Sequence, residues 1–176
     1  MLRAVDDLLV EVGYSAMTMK GIAERAGVGR QTVYRWWASK AEILLEASAA
    51  DAERELAVEP QKTAHAEVSG FLRALVRFLT ESDAGLAYRA LIGEAQHDQA
   101  VAALLHGEDV LGLAARRVIR RVQELGALSP TIDDARATAE LVGPIVFRIL
   151  VEGWSADSVV IDDLAARFLD ARPVTR

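Results

Sequence analysis

The chain has 176 residues, 52% of them apolar, with only four prolines, twelve glycines and few aromatics, a balance that supports a real core and favours helices over a sandwich or barrel. It has no cysteine, which excludes disulfide frameworks, thiolate metal sites and cysteine nucleophiles. No apolar run approaches the roughly 18 residues of a membrane span. The net charge of −6 disfavours indiscriminate coating of nucleic acid, yet residues 14–40 hold five Lys/Arg against one acid, Glu24, and the acid excess falls within 51–176.

Leu2, Val5, Leu8, Leu9 and Val12 recur at helical spacing, and Gly13 follows as a stop. This first helix begins almost at Met1, so little N-terminal arm is expected. The opening residues also lack the form of a secretory signal, which makes the cytoplasm the expected location. Tyr14 to Met17 is a connector. Thr18 is placed to cap a short second helix carrying Met19, Ile22, Ala23 and Ala26, which ends at Gly27. Gly27-Val28-Gly29 forms a tight turn. A third helix follows from about Arg30 to Trp37, with Val33 and Trp37 four apart on one apolar face. Arg30, Gln31, Thr32, Tyr34, Arg35 and Trp36 fill the rest of that helix. Ser39-Lys40-Ala41-Glu42 has the form of a capping box, so a long fourth helix starts near Lys40 and runs to about Pro60.

Two short helices around a glycine turn form a helix-turn-helix unit, whose second helix enters the major groove of a DNA duplex. Arg30 and Gln31 stand at the start of the reading helix, where arginine can pair with guanine and glutamine with adenine. Thr32 suits a phosphate or a thymine methyl. Tyr34 and Trp36 can donate to phosphates while packing on sugars, and Arg35 can serve a base or a phosphate. Lys40 and the backbone N–H groups opening the fourth helix form an anion site, and Thr18 and Lys20 can do the same at the second. Val33 and Trp37 are assigned to the core. Thr18-Met19-Lys20-Gly21-Ile22-Ala23-Glu24-Arg25-Ala26-Gly27-Val28, then Thr32 to Trp37 and Ser39-Lys40, resemble the N-terminal domain of the tetracycline-repressor (TetR) family of transcriptional regulators. The resemblance covers about a quarter of the chain. One departure is the missing basic arm before the first helix, so no minor-groove contact is expected.

Further on, Phe71, Leu72, Leu75, Val76, Phe78 and Leu79 predict a fifth helix, and Gly85 with Tyr88 to His97 a sixth. A seventh is expected to run unbroken from near Ala100 to Leu125, with Leu111, Ala114, Val118 and Val122 on one face and Gly126 as its stop. Thr131 is expected to cap an eighth. From Leu141 to Val151 only Gly143, Pro144 and Arg148 are not aliphatic or aromatic, and Pro144 should kink or loosen a turn. A helix so apolar needs cover on more than one side. A ninth is expected from about Asp157, with Ile161, Leu164, Ala165 and Phe168 on one face. A partner's copy of the last two helices would complete a four-helix bundle across a two-fold axis. Glu140 to Val151 also resembles the C-terminal domain of one branch of the TetR family.

Arg116, Arg117, Arg120 and Arg121 cluster on the seventh predicted helix, away from its apolar face; a solvated face, or pairing with acids of another helix, explains them better than nucleic acid. Glu94 and His97 are three apart, a spacing common by chance. Neither a metal site nor a catalytic set can be assembled from His65, His97 and His106, so no enzyme activity and no cofactor are expected. Phe71, Phe78, Tyr88 and Arg89 are candidates to line an effector pocket, although ordinary core explains any one of them more readily.

The expectation is therefore an all-α chain of about nine helices. Residues 1–46 form a helix-turn-helix domain and residues 47–176 an effector-binding and dimerisation domain. The resemblance implies a homodimer, joined through its two C-terminal helices, that binds a palindromic double-stranded DNA operator and is released by a small-molecule effector of unknown identity, with no membrane association. Repression rather than activation is carried over from the family. The rival reading is a helical small-molecule carrier, or a dimeric interaction protein, that does not bind DNA.

Overall fold

A computed structural model describes residues 2–154 and 158–171. Among these, ten α-helices and no strands are present: α1 (Leu2–Ala16), α2 (Met19–Arg25), α3 (Arg30–Trp36), α4 (Lys40–Glu55), α5 (Ala64–Glu81), α6 (Asp83–Ala95), α7 (Gln99–Glu108), α8 (Val110–Glu124), α9 (Asp134–Leu150) and α10 (Ser158–Asp170). The chain divides into two compact units, Met1–Ala52 with Glu81–Asp109, and Glu53–Thr80 with Val110–Arg176. No described helix is long and apolar enough to cross a membrane.

The first unit is built on α1, which packs on α2 and α6, while α2 packs on α3 and α6 on α7. Val5 and Leu9 of α1 are buried; Val12, expected on the same face, is 46% exposed, and the side chain of Leu2 lies outside the described residues. Gly13 leaves helical geometry (φ 72°, ψ 164°) and breaks α1 where its sequence predicts a stop, with one short turn following it to Ala16. Thr18 Oγ1 accepts from Gly21 N at 3.0 Å, capping α2 as its sequence predicts. At the far end Gly27 turns left-handed (φ 67°), which lets Gly27 N bond Glu24 O and Val28 N bond Ala23 O, the paired closure of a Schellman motif. A side chain at residue 27 would strain this step even though no atom stands within 4 Å of the added Cβ.

Ser39 Oγ accepts from Glu42 N at 3.2 Å, and the Glu42 carboxylate accepts from Ala38 N at 2.7 Å, so the capping box forms with its return bond one residue early. Helix α4 stops at Glu55, short of the expected end near Pro60. Leu56 turns into the core, and Glu59, preceding a proline, is disfavoured in helical geometry.

The expected long seventh helix is two helices, which raises the total from nine to ten. Asp109 adopts left-handed geometry (φ 41°, ψ 48°) between α7 and α8, a step that aspartate tolerates better than most residues. Helical periodicity continues on both sides of it, so the pattern of apolar residues carries no mark of the break.

In the second unit α8 packs on α9. Leu111, Ala114, Val118 and Val122 form the buried face of α8 as predicted, and left-handed Gly126 follows its end. Helix α9 is capped by Asp133, whose carboxylate accepts from Arg136 N at 2.6 Å, and not by Thr131, which sits in the preceding turn with its hydroxyl on Ser129 Oγ. The expected start of the last helix near Asp157 lies outside the described residues. Within α10, Ile161, Ala165 and Phe168 are buried.

Two of the four clustered arginines pair with acids of other helices, as expected, while Arg120 donates to Arg116 O. Arg117 pairs with Glu53 at 2.7 Å. Arg121 pairs with Glu67, a fully buried carboxylate of α5 that also accepts from Gln61 N at 2.6 Å. Arg121 donates as well to Val58 O at 2.9 Å. A Cβ on Gly70 would stand 3.1 Å from Val58, so glycine there lets the segment after α4 lie close on α5.

Candidate nucleic-acid interface

Helix α3 is short, and one buried residue anchors it. Val33 is fully buried, and the open turn at Gly29 gives α3 no side-chain cap. Around that anchor Arg30, Gln31, Tyr34, Arg35 and Trp36 are all exposed, and Thr32 is half-buried. Tyr34 is 56% and Trp36 66% exposed, far more than a large aromatic needs for packing. The Arg35 guanidinium lies 5.5 Å from the Trp36 ring centroid, a cation–π pairing that keeps both at the surface.

Trp37 departs from its expected place. It is the residue after the helix, extended (φ −136°, ψ 128°) and half-buried, with its N–H closing the last turn on Val33 O. Its indole N–H donates to Glu46 of α4 at 2.7 Å. A tryptophan carries a polar N–H that needs a partner, so it settles at the rim of a core rather than inside it.

Thr18 and Lys20 are exposed at the start of α2, and Lys20 stands 3.6 Å from Glu24 on the same helix. Lys40 is more constrained. Its ammonium donates to Tyr14 O at 2.7 Å and Met17 O at 3.2 Å and stands 4.0 Å from the Tyr14 ring centroid. One of its three N–H donors remains beyond those two carbonyls. Arg25 is tied to Glu11 of α1, and that hydrogen bond, then the guanidinium charge, holds the Glu11 carboxyl below its ordinary value. Sequence spacing did not single out Tyr14, Glu46 or Glu11, because each acts across helices that lie apart in the chain.

The candidate pocket residues are interior. Phe71 and Phe78 are buried on α5, Tyr88 is buried on α6, and Arg89 is half-buried. Burial, then the Asp109 charge, pushes the Tyr88 phenol up to about 12.

Residues 2–47 match the family model for bacterial regulatory proteins of the TetR family, and residues 58–168 match a tetracyclin repressor-like C-terminal domain. This chain belongs to the TetR family. A relative from Bacillus subtilis (strain 168), described as the uncharacterized HTH-type transcriptional regulator YdeS, is 30% identical over 93% of this chain and 83% of its own length. The crystal structure of the TetR family transcription regulator SCO0332 superposes with a TM-score of 0.81 at 28% identity, covering 96% of this chain and 94% of that one. A structure of the regulator FadR from Bacillus subtilis in complex with stearoyl-CoA shares the fold (TM-score 0.66, 17% identity, covering 96% and 95%). The TetR-family assignment makes this chain a transcriptional regulator with a helix-turn-helix DNA-binding domain and a ligand-binding C-terminal domain. The relatives it matches are regulators, not enzymes.

Proposed function

We propose that this TetR-family chain is a cytoplasmic, homodimeric repressor that sets α3 in the major groove at each half-site of a palindromic operator and leaves it when a small effector binds. Residues 1–46 serve DNA, and residues 47–176 serve the effector and the dimer. The observation that carries the reading is the exposed row Arg30, Gln31, Tyr34, Arg35 and Trp36 standing on one buried valine. A carrier without DNA binding has no use for that row beside Lys40. Arg30 and Gln31 read base edges; Thr18, Lys20, Thr32, Tyr34, Trp36 and Lys40 meet phosphates, sugars or a methyl; and Arg35 serves either. For the dimer, the support is an uncovered stripe on α9 and its C-cap, where Gly143 is exposed and Phe147 and the capping Val151 are 55% and 67% exposed. Those three recur at four-residue spacing on one helical face. A helix otherwise so apolar needs a second copy against it. The effector acts by favouring a dimer state whose two α3 helices no longer match the half-site spacing of about 34–36 Å.

Selection of bound sequences from a random DNA pool tests this. A palindrome should emerge, and Arg30→Ala should lose about 1–3 kcal/mol on it while relaxing the preference at one base pair. Recovery of no common sequence, or full selectivity in Arg30→Ala, would overturn it.

A further inference from the structure

The ammonium of Lys40 is gripped from two sides. The carbonyls of Tyr14 and Met17 take two of its N–H groups, at 2.7 and 3.2 Å, and the face of the Tyr14 ring lies 4.0 Å away. Lysine carries a flexible four-carbon stem, so an unheld ammonium samples a wide volume above the protein surface. Here the grip has already removed that freedom, at a place where a rigid cation is of most use to a phosphate. The backbone cooperates. Gly13 is left-handed, which breaks α1 just before Tyr14; the Tyr14 carbonyl then serves both Met17 N, at 3.2 Å, and Lys40.

We propose that Tyr14 is a positioning residue for DNA binding, its ring and carbonyl fixing the Lys40 ammonium so that its remaining N–H meets a backbone phosphate. This rests on the reading of Lys40 as a phosphate contact. Tyr14 itself touches no DNA. Burial, then the charges of Glu94 and Asp98, pushes its phenol up to about 12, and α1, which carries it, packs on α6.

The test uses the full-length protein and a labelled random-sequence duplex titrated across a salt series, since binding without sequence preference reads phosphate contacts alone. Lys40→Met should flatten the log–log salt slope by about one per protomer. Tyr14→Met fills the space without a π face and should lose most of the same slope; Tyr14→Phe, which keeps the ring, should bind like the unaltered protein. The Tyr14→Met/Lys40→Met double variant should be no weaker than Lys40→Met. A second readout needs no variant: in the free protein Lys40 should acetylate several-fold more slowly than exposed Lys20, and Tyr14→Phe should keep that protection. If Lys40→Met flattens the slope and Tyr14→Met does not, or the two losses add, the positioning role is wrong while the phosphate contact stands. If Lys40→Met leaves the slope unchanged, both fall. Acetylation of Lys40 as fast as that of Lys20 also overturns the positioning role.

Discussion

Replacing Arg121 with methionine should cost more stability than any exposed substitution in the chain. Glu67 is fully buried, and among the described residues Gln61 N and Arg121 compensate its charge. The Arg121 guanidinium lies against the Glu67 carboxylate as an ion pair. Arg121→Met strands the carboxylate and also leaves Val58 O without its donor. Removing one partner of a buried pair typically costs about 3–5 kcal/mol, a large share of the roughly 5–15 kcal/mol that stabilises a native protein. With a urea dependence of about 2 kcal/mol per molar, the midpoint should fall by about 1.5–2.5 M. Urea unfolding followed by far-UV circular dichroism measures it. Arg121→Met/Glu67→Gln, which removes the charge as well, should recover at least half of the loss. A single variant within about 1 kcal/mol of the unaltered protein, or a double variant less stable than the single, would refute the reasoning.

Asp6→Asn should stabilise the protein at pH 8 and change little at pH 4. Burial first, then Asp51, Asp83 and Asp7, pushes the Asp6 carboxyl up to about 6 from 3.8, and its Oδ1 is buried without a hydrogen-bond partner. A raised folded value favours the fold while the group is protonated, and that stability is lost as pH rises through about 6. The full linkage corresponds to about 3 kcal/mol, which partial exposure cuts to about 1, or a few degrees in a thermal scan at pH 8; equal melting temperatures there would contradict it. Gly27→Ala should cost about 1–2 kcal/mol through its left-handed backbone alone, since nothing crowds the new Cβ, and a loss far above that in chemical denaturation would point to a clash. Phe147→Glu should give monomers by analytical ultracentrifugation, and an intact dimer would remove α9 from the interface.

Local chemistry made most of the DNA-binding unit readable. Thr18, Gly27, Ser39 with Glu42, and Gly126 act within a few residues of themselves, and the structure has them capping or closing helices. Val33 was readable from periodicity, and Trp37 was not, because its place depends on Glu46 of another helix. Asp109 hid a helix boundary because both flanks keep the same period. Asp133 displaced Thr131 as a cap because two capping residues two apart both satisfy the local rule, and only the turn around Ser129 chooses between them. Tyr14 was invisible for the same reason as Glu46: its partner lies 26 residues away. In the C-terminal unit, periodicity identified the buried face of α8 but gave no sign that Arg121 closes on the segment after α4.

The exposed indole on the reading helix gives the protein a built-in optical signal. Of the three tryptophans, Trp37 is tied to Glu46 and Trp154 lies half-buried with Arg148 over its ring, whereas Trp36 is 66% open to water. Unbound protein should therefore show a red-shifted, readily quenched emission component from Trp36 alone. A duplex seated on α3 would dry that ring, shifting its emission to the blue and shielding it from iodide. Binding and effector-driven release can then be followed on unlabelled DNA and unmodified protein, with Trp36→Phe as the silent control.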